Sequence, residues 1–209
     1  MIFNKHFELR GKHALLAPSQ PSWLGYSEEQ LYGKFKSKYA QDIGTFSHEL
    51  AETLINECVK LKKTDKSVLL VHLLHCGIPR AAIDLDRMYP NFMAYVNDAI
   101  GFRMTPEQIL VYSQDCFGTA DAISFKNNFL RIHDLKTGTT PAKMEQLMIY
   151  FALFCLEYKV KPGELDGCEL RIYQNDNIIV HNPTIEEIAH IMDDIITADR
   201  YIQTMRIGG

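Results

Sequence analysis

The sequence predicts an α/β fold in which residues 1–104 are mainly helical and residues 105–209 form a central sheet flanked by helices, all within one domain. Three observations carry this. Apolar residues before Thr105 recur at helical spacing. From Thr105 onward they fall into short runs rich in β-branched and aromatic residues. The stretch Gly118 to Lys136, GTADAISFKNNFLRIHDLK, has the pattern of a β-hairpin. A chain of 209 residues is long enough to bury a sizeable core.

Within residues 1–26, Ser22-Trp23-Leu24 starts a short helix and the rest is irregular. Ser27-Glu28-Glu29-Gln30 is an N-cap followed by acids, which opens a helix running to about Ala40, with Gly44-Thr45 breaking the pattern. Phe46 to Lys62 is a second helix. His48, Glu52, Ile55 and Val59 share one stripe, and His48 and Glu52 lie one turn apart. The apolar run 67–76 reads as a short buried helix, whose His72, His75 and Cys76 fit core packing better than a metal site. A helix from about Pro90 ends at Gly101 as its cap. Ile109 to Ser113 is a strand, and the hairpin follows. Pro141 suits the first turn of a helix over about Ala142 to Tyr158, apolar on several sides. Glu169–Gln174 and Ile178–His181 make a second hairpin around 175–177. An amphipathic helix from about Thr184 to Met205 closes the chain, with Ile185, Ile188, Ile191, Met192, Ile195 and Ile196 inward.

In the first hairpin, Asn127-Asn128 suits a two-residue turn, because Asn tolerates positive φ. Lys126 then faces Phe129, Phe125 faces Leu130, Ile123 faces Ile132, and Asp121 faces Asp134. Alternation puts these last three pairs on one face, with Lys136 two residues beyond Asp134. Two carboxylates opposed across a ladder repel. Either a cation sits between them, or one is protonated, or the register differs. An oxygen-rich acidic site suits Mg²⁺ or Mn²⁺, and an adjacent lysine can stabilise a phosphate or orient a water. Acid, acid and lysine at a hairpin end point to metal-assisted phosphodiester hydrolysis.

Composition agrees with a cytoplasmic protein: 46% hydrophobic, 23% charged, with no apolar run of membrane-spanning length. The segment MIFNKHFELRGKH lacks the apolar stretch of a signal peptide. The cysteines, Cys58, Cys76, Cys116, Cys155 and Cys168, form no CxxC pair, which argues against a disulfide framework, a zinc site or an iron–sulfur cluster. A net charge of −4 rules out a basic nucleic-acid coat but not an enzyme with a local basic path. Lys34, Lys36 and Lys38, interleaved with Phe35 and Tyr39, and the group Lys60, Lys62, Lys63 and Lys66 are candidates for such a path, or solvated faces.

Four motifs in order extend this reading. They are Gly44-Thr45-Phe46-Ser47-His48, Gly118-Thr119-Ala120-Asp121, Asp134-Leu135-Lys136 followed by Thr137-Gly138, and Gln146-Leu147-Met148-Ile149-Tyr150. Together they resemble the PD-(D/E)XK nuclease superfamily, above all its RecB-like branch, which includes exonucleases carried by bacteriophages. The first motif has one residue more in its gap than the G-x-x-H of that branch. The resemblance implies a nuclease core with a mixed central sheet. It implies Asp121, Asp134, His48 and the backbone carbonyl of Leu135 as metal ligands. Lys136 would position the attacking water or steady the phosphate, and Gln146 and Tyr150 would orient the substrate or the lysine. Glu107 and Glu52 are further acids that can join the site. The chain carries no G-x-x-x-x-G-K-[ST] loop, so any motor would be borrowed.

The function expected from these residues is a Mg²⁺- or Mn²⁺-dependent deoxyribonuclease, exonuclease before endonuclease. It would serve phage-type recombination, repair or genome processing. Its expected partners are DNA, single- or double-stranded, further copies of itself and a recombination partner protein, with no membrane. The alternative is a nucleic-acid-binding protein that kept the fold without the chemistry.

Overall fold

Two turns built from Asn and Asp set the register of the sheet. Asn127 and Asn128 have φ of +50° and +57°, and Asn175 and Asp176 have +52° and +57°. Left-handed backbone at both central residues makes a tight turn whose twist matches that of the flanking strands. The computed structural model describes Lys5, Phe7 and residues 14–207. The signal-peptide reading of residues 1–13 falls, those two residues apart, outside the described set.

Five strands form one mixed sheet in the order β1 (Thr105–Ser113), β2 (Cys116–Lys126), β3 (Phe129–Leu135), β4 (Gly167–Gln174) and β5 (Asn177–His181). Neighbours are antiparallel except β3 and β4, which are parallel. A parallel pair needs a crossover, supplied here by α4 (Glu145–Tyr158). Helices cover both faces. On one side α1 (Glu28–Asn56), α2 (Lys66–His75) and α3 (Leu85–Gly101) bury Leu69, Leu73, Phe92, Tyr95 and Val96 against Leu135 and Tyr173. On the other, α4 and α5 (Ile185–Ile207) bury Leu147, Phe151 and Ile188 against Leu110, Leu130, Ile132 and Ile172. The fold is therefore α/β with a mixed five-stranded sheet. Among the described residues no helix is long and apolar enough to cross a membrane, and all five cysteines are free.

The hairpin register is the expected one, from Lys126↔Phe129 through Ile123↔Ile132 to Ala122↔His133. Ser27 and Gln30 form a reciprocal capping box at α1, and Pro21–Gly25 is the expected short helix, of 3₁₀ type. Other boundaries differ. Gly44 does not break α1. The buried stripe Ile43, Ser47, Ala51, Leu54 and Ile55 runs through it, and this burial outweighs the roughly 1 kcal/mol that a helical glycine costs. The helix stops at Asn56 rather than Lys62, because Cys58 takes φ +56° and the chain reverses onto Leu54 and Ile55 carbonyls. The run 67–76 is a helix buried only along Leu69 and Leu73, with Val68, Val71 and Leu74 exposed. α3 begins at Leu85 with Pro90 inside it, and the left-handed residue past its end is Arg103, not Gly101. α4 starts at Glu145 rather than near Pro141, because buried Gln174 accepts the Ala142 N–H and its amide donates to the carbonyls of Gly138 and Thr140. That clamp keeps residues 138–142 out of the helix. At the start of α5, Ile185 is exposed rather than inward.

On the α3 side, β3 and β4 carry a buried polar network. Tyr173 donates to Asp98 and lies 3.1 Å from His133 Nδ1. Arg171 donates to Asp98 and Glu169, and the Arg131 guanidinium lies over the rings of Phe102 and Phe129. Burial, with the charge of Arg171, pushes the His133 pKa down to about 3, although Glu169 pulls the other way. An unfolded histidine titrates near 6.5. The neutral ring therefore contributes its full stabilisation above about pH 6.5, and that contribution is lost as pH falls towards 3. We expect the difference in urea midpoint between the wild type and His133→Gln to shrink from pH 7 to pH 4, as read by unfolding curves of both across the range.

Candidate metal centre

Leu135, at the end of β3, lies between two groups of candidate side chains: its backbone bonds the first, and its neighbours Asp134 and Lys136 belong to the second. Its N–H donates to Asp121 Oδ2 at 2.9 Å, and its carbonyl accepts from His48 Nε2 at 3.0 Å. The first group is His48, Glu107 and Asp121. His48 Nδ1 lies 3.6 Å from Glu107 and 3.5 Å from Asp121, and one ligand atom from each of the three falls within 4.8 Å of the others. The second group is Asp134, Lys136, Gln146 and Tyr150. Lys136 Nζ donates to Asp134 Oδ1 at 2.9 Å and to Gln146 Oε1 at 3.1 Å. Gln146 Nε2 donates to the Tyr150 hydroxyl at 3.2 Å.

The local backbone explains the first group. Simple alternation would put Asp121 with Ile123 against α4. Instead Ala120 and Ile123, three residues apart, both pack in the α4-side core, so alternation breaks between them. The ladder breaks at the same level. Pro106↔Ala122 and Gln108↔Ala120 pair, with Glu107 and Asp121 between them unpaired, and Glu107 has φ +47°. A carboxylate residue in the left-handed region within a strand is strained, and such strain clusters at functional sites. The break turns both acids towards His48 on α1. Asp121 and Asp134 are thus not opposed members of the ladder, which ends at Ala122↔His133. This corrects the expected cross-strand pair and its single shared face.

The second group is held from both sides. The Lys136 N–H donates to the Tyr173 carbonyl, extending the parallel β3–β4 pairing past Leu135. Gln146 and Tyr150, one turn apart on α4, reach the same point. Tyr150 packs so closely on β2 that a Cβ at Gly118 would stand 2.9 Å from its ring. A cavity of about 580 Å³ opens beside Lys136, Gln146, Tyr150 and Lys143.

Electrostatics reinforce the geometry. Burial, and then the charge of Asp134, push the Asp121 pKa up to about 7. Burial opposes a charged His48, but the hydrogen bond to Glu107 and the charges of Asp121, Glu107 and Asp134 outweigh it and raise its pKa. Lys136 is raised too: Asp134 overcomes the opposing effect of burial, so the ammonium form persists at neutral pH. Asp134 is 1% exposed, and its Oδ2 has no hydrogen-bond partner. A buried, unpartnered carboxylate oxygen is costly unless something compensates it. The imidazole of His48 and the carboxylates of Glu107 and Asp121 form a cluster that could hold a metal ion, and Asp134 lies outside it.

Of the expected metal ligands, His48 and Asp121 share one cluster and both bond the Leu135 backbone, whereas Asp134 lies outside that cluster and pairs with Lys136, which Gln146 links to Tyr150. Glu107 joins the His48–Asp121 cluster, whereas Glu52 is not part of it. His72 lies 3.7 Å from Cys76, and the two gather no third ligand among the described residues. Sequence reasoning missed Gln174, which clamps the loop after Lys136, and Arg87, which donates to the Thr137 carbonyl. Neither carries a sequence signal, since one polar residue at a strand end is like any other. Of the two lysine groups, Lys34, Lys36 and Lys38 lie over the rings of Tyr26, Tyr32 and Tyr39, and Lys66 pairs with Asp86.

No curated protein and no solved structure matches the chain. A family model described as "Protein of unknown function (DUF2800)" matches residues 13–201. That span takes in all five strands and both groups of site residues, and the chain belongs to this family.

Proposed function

We propose that the protein is a divalent-metal-dependent deoxyribonuclease that hydrolyses phosphodiester bonds, acting from strand ends. One observation carries the reading: the unpartnered, buried Oδ2 of Asp134 lies in the group of a charged Lys136, one peptide from Asp121 and His48. Glu169 Oε1 in the Arg171 network is also buried without a hydrogen-bond partner, but it faces Arg131 and His133, whereas the Asp134 oxygen lies where carboxylates crowd.

Asp121, Asp134, His48 and the Leu135 carbonyl would hold the cation, with Glu107 facing His48 Nδ1. The cation would supply a Lewis acid for the phosphate and a more acidic water. The chain's own residues do the rest. Lys136 has three donors, two of them used by Asp134 and Gln146, which leaves one for a phosphate oxygen. Its raised pKa makes it a charge stabiliser rather than a proton acceptor. Gln146 fixes the ammonium and is itself tethered to Tyr150. The end preference rests on the resemblance to RecB-like exonucleases.

Cleavage of end-labelled linear duplex, single strand and closed circle in Mg²⁺, Mn²⁺ or EDTA tests the proposal. Loss of linear substrate with the circle spared, blocked by EDTA, is the expected result. Asp134→Ala and Lys136→Ala should each reduce cleavage by about a hundredfold or more while the folded circular-dichroism spectrum persists. Full activity of Asp134→Ala would remove the assignment, and DNA binding without cutting under every metal would leave the inactive binding protein. Cation binding has a separate readout. Mn²⁺ should raise the melting temperature of the wild type by mass action, and Asp121→Asn, whose amide oxygen still accepts from Leu135, should lose that rise. Gly118→Ala should displace the Tyr150 ring and lower the cleavage rate at unchanged Mn²⁺ affinity, since the metal ligands lie outside that contact.

A further inference from the structure

We propose that the exposed sheet face made by Ile109, Val111, Phe117 and Thr119 is a stacking platform for the unpaired bases of the strand whose phosphate reaches Asp121. It rests on the nuclease reading and names its substrate as single-stranded or frayed DNA.

The placement follows from alternation. Leu110 and Ala120 are buried in the α4-side core, and Gly118 faces Tyr150 on α4. Their neighbours Ile109, Val111, Phe117 and Thr119 therefore point to the opposite face, which carries His48. They form two direct cross-strand pairs, Ile109↔Thr119 and Val111↔Phe117. Ile109 is 53% exposed, Val111 41% and Phe117 63%, while Thr119 is half-buried. Three large apolar residues on neighbouring rungs of one face form a patch, unlike the scattered exposed residues of an ordinary surface.

The patch runs directly into the site. Ile109 is two residues from Glu107, and Thr119 is two from Asp121. Phe117 lies four residues from Asp121, about 13 Å along the strand. None of the four side chains is charged, so the face has nothing to hold phosphates. An exposed aromatic on an open sheet face is how proteins stack bases, because every base has a π face. Paired bases are already stacked on each other, so the platform selects unpaired ones. A second copy of this chain is a poorer occupant. Docked symmetrically on this face, it would bring the two Glu107–Asp121 clusters towards each other.

Fluorescence anisotropy with labelled oligothymidylate and a blunt duplex of equal length tests this, on full-length protein carrying Lys136→Ala, in Mn²⁺, so that strands stay intact. Phe117→Ala should weaken single-strand binding about tenfold, with little effect on duplex and an unchanged melting temperature. Phe117→Trp should restore it, and the new indole emission should be quenched by added strand. Wild-type single-strand affinity in both Phe117→Ala and Val111→Thr would overturn the platform. So would an equal loss on duplex, or a concentration-dependent dimer by sedimentation that Phe117→Ala dissolves. A protein that stacks strands in this way yet never cuts them would refute the nuclease reading and leave the platform standing.

Discussion

The backbone of Leu135 is the constraint on which the site depends. Its N–H and carbonyl would otherwise be ladder groups of a strand end. Here the N–H goes to an Asp121 carboxylate on β2 and the carbonyl to the His48 ring on α1. A backbone unit is the stiffest anchor a protein has, since it lacks rotamers. By bonding both partners it fixes helix, strand and strand relative to one another without spending a side chain. The neighbouring residues on either side then have no freedom of placement: Asp134 is driven inward and Lys136 is pinned by the Tyr173 carbonyl. Move Leu135 and both groups of acids come apart.

The rest of the sheet serves to keep that backbone still. β3 is central, paired antiparallel to β2 and parallel to β4, so it can neither slip nor fray. The parallel pairing obliges the chain to cross over through α4, and the crossover brings Gln146 and Tyr150 to Lys136. The polar network behind β3, from His133 through Tyr173 to Asp98 and Arg171, packs the opposite face with directional bonds. Directional packing of this kind specifies one arrangement where an apolar interface would tolerate several. Gln174 makes three hydrogen bonds to the segment 138–142 and so holds the exit from Lys136 open rather than coiled into α4.

What the sequence made legible follows from whether the cause was local. The Asn127-Asn128 turn fixes the hairpin register by itself, and the register held as far as Ala122↔His133, one pair short of the expected Asp121 and Asp134. The order of strands and of the later helices follows from periodicity and held, but the two helices expected on either side of Gly44 are one. The break at Glu107 and Asp121 was not legible, because nothing in Pro106-Glu107 marks a left-handed residue in a strand, and its counterpart His48 lies on a helix far away in the chain. Gly44 misled for the converse reason: its local cost is real, but the stripe from Ile43 to Ile55 is buried in tertiary contacts that a glycine does not interrupt. Gln174 and Arg87 carry no pattern at all, since their roles exist only through loops 36 and 50 residues away in the chain.

The arrangement is also one that folding alone would disfavour. Burying Asp121 and Asp134 near each other raises the pKa of Asp121 to about 7, which means that the folded chain works against its own charge. Lys136 relieves only one oxygen of Asp134, and the raised pKa of His48 shows that the ring draws a proton to relieve the other acids. Replacing both acids by apolar residues of like size would remove this repulsion and the unpartnered oxygen together. A site whose charges repel in the bare protein is one that the cation of the proposed reading would compensate. A divalent cation relieves every one of these strains at once, whereas a proton on His48 relieves only its own side of Leu135.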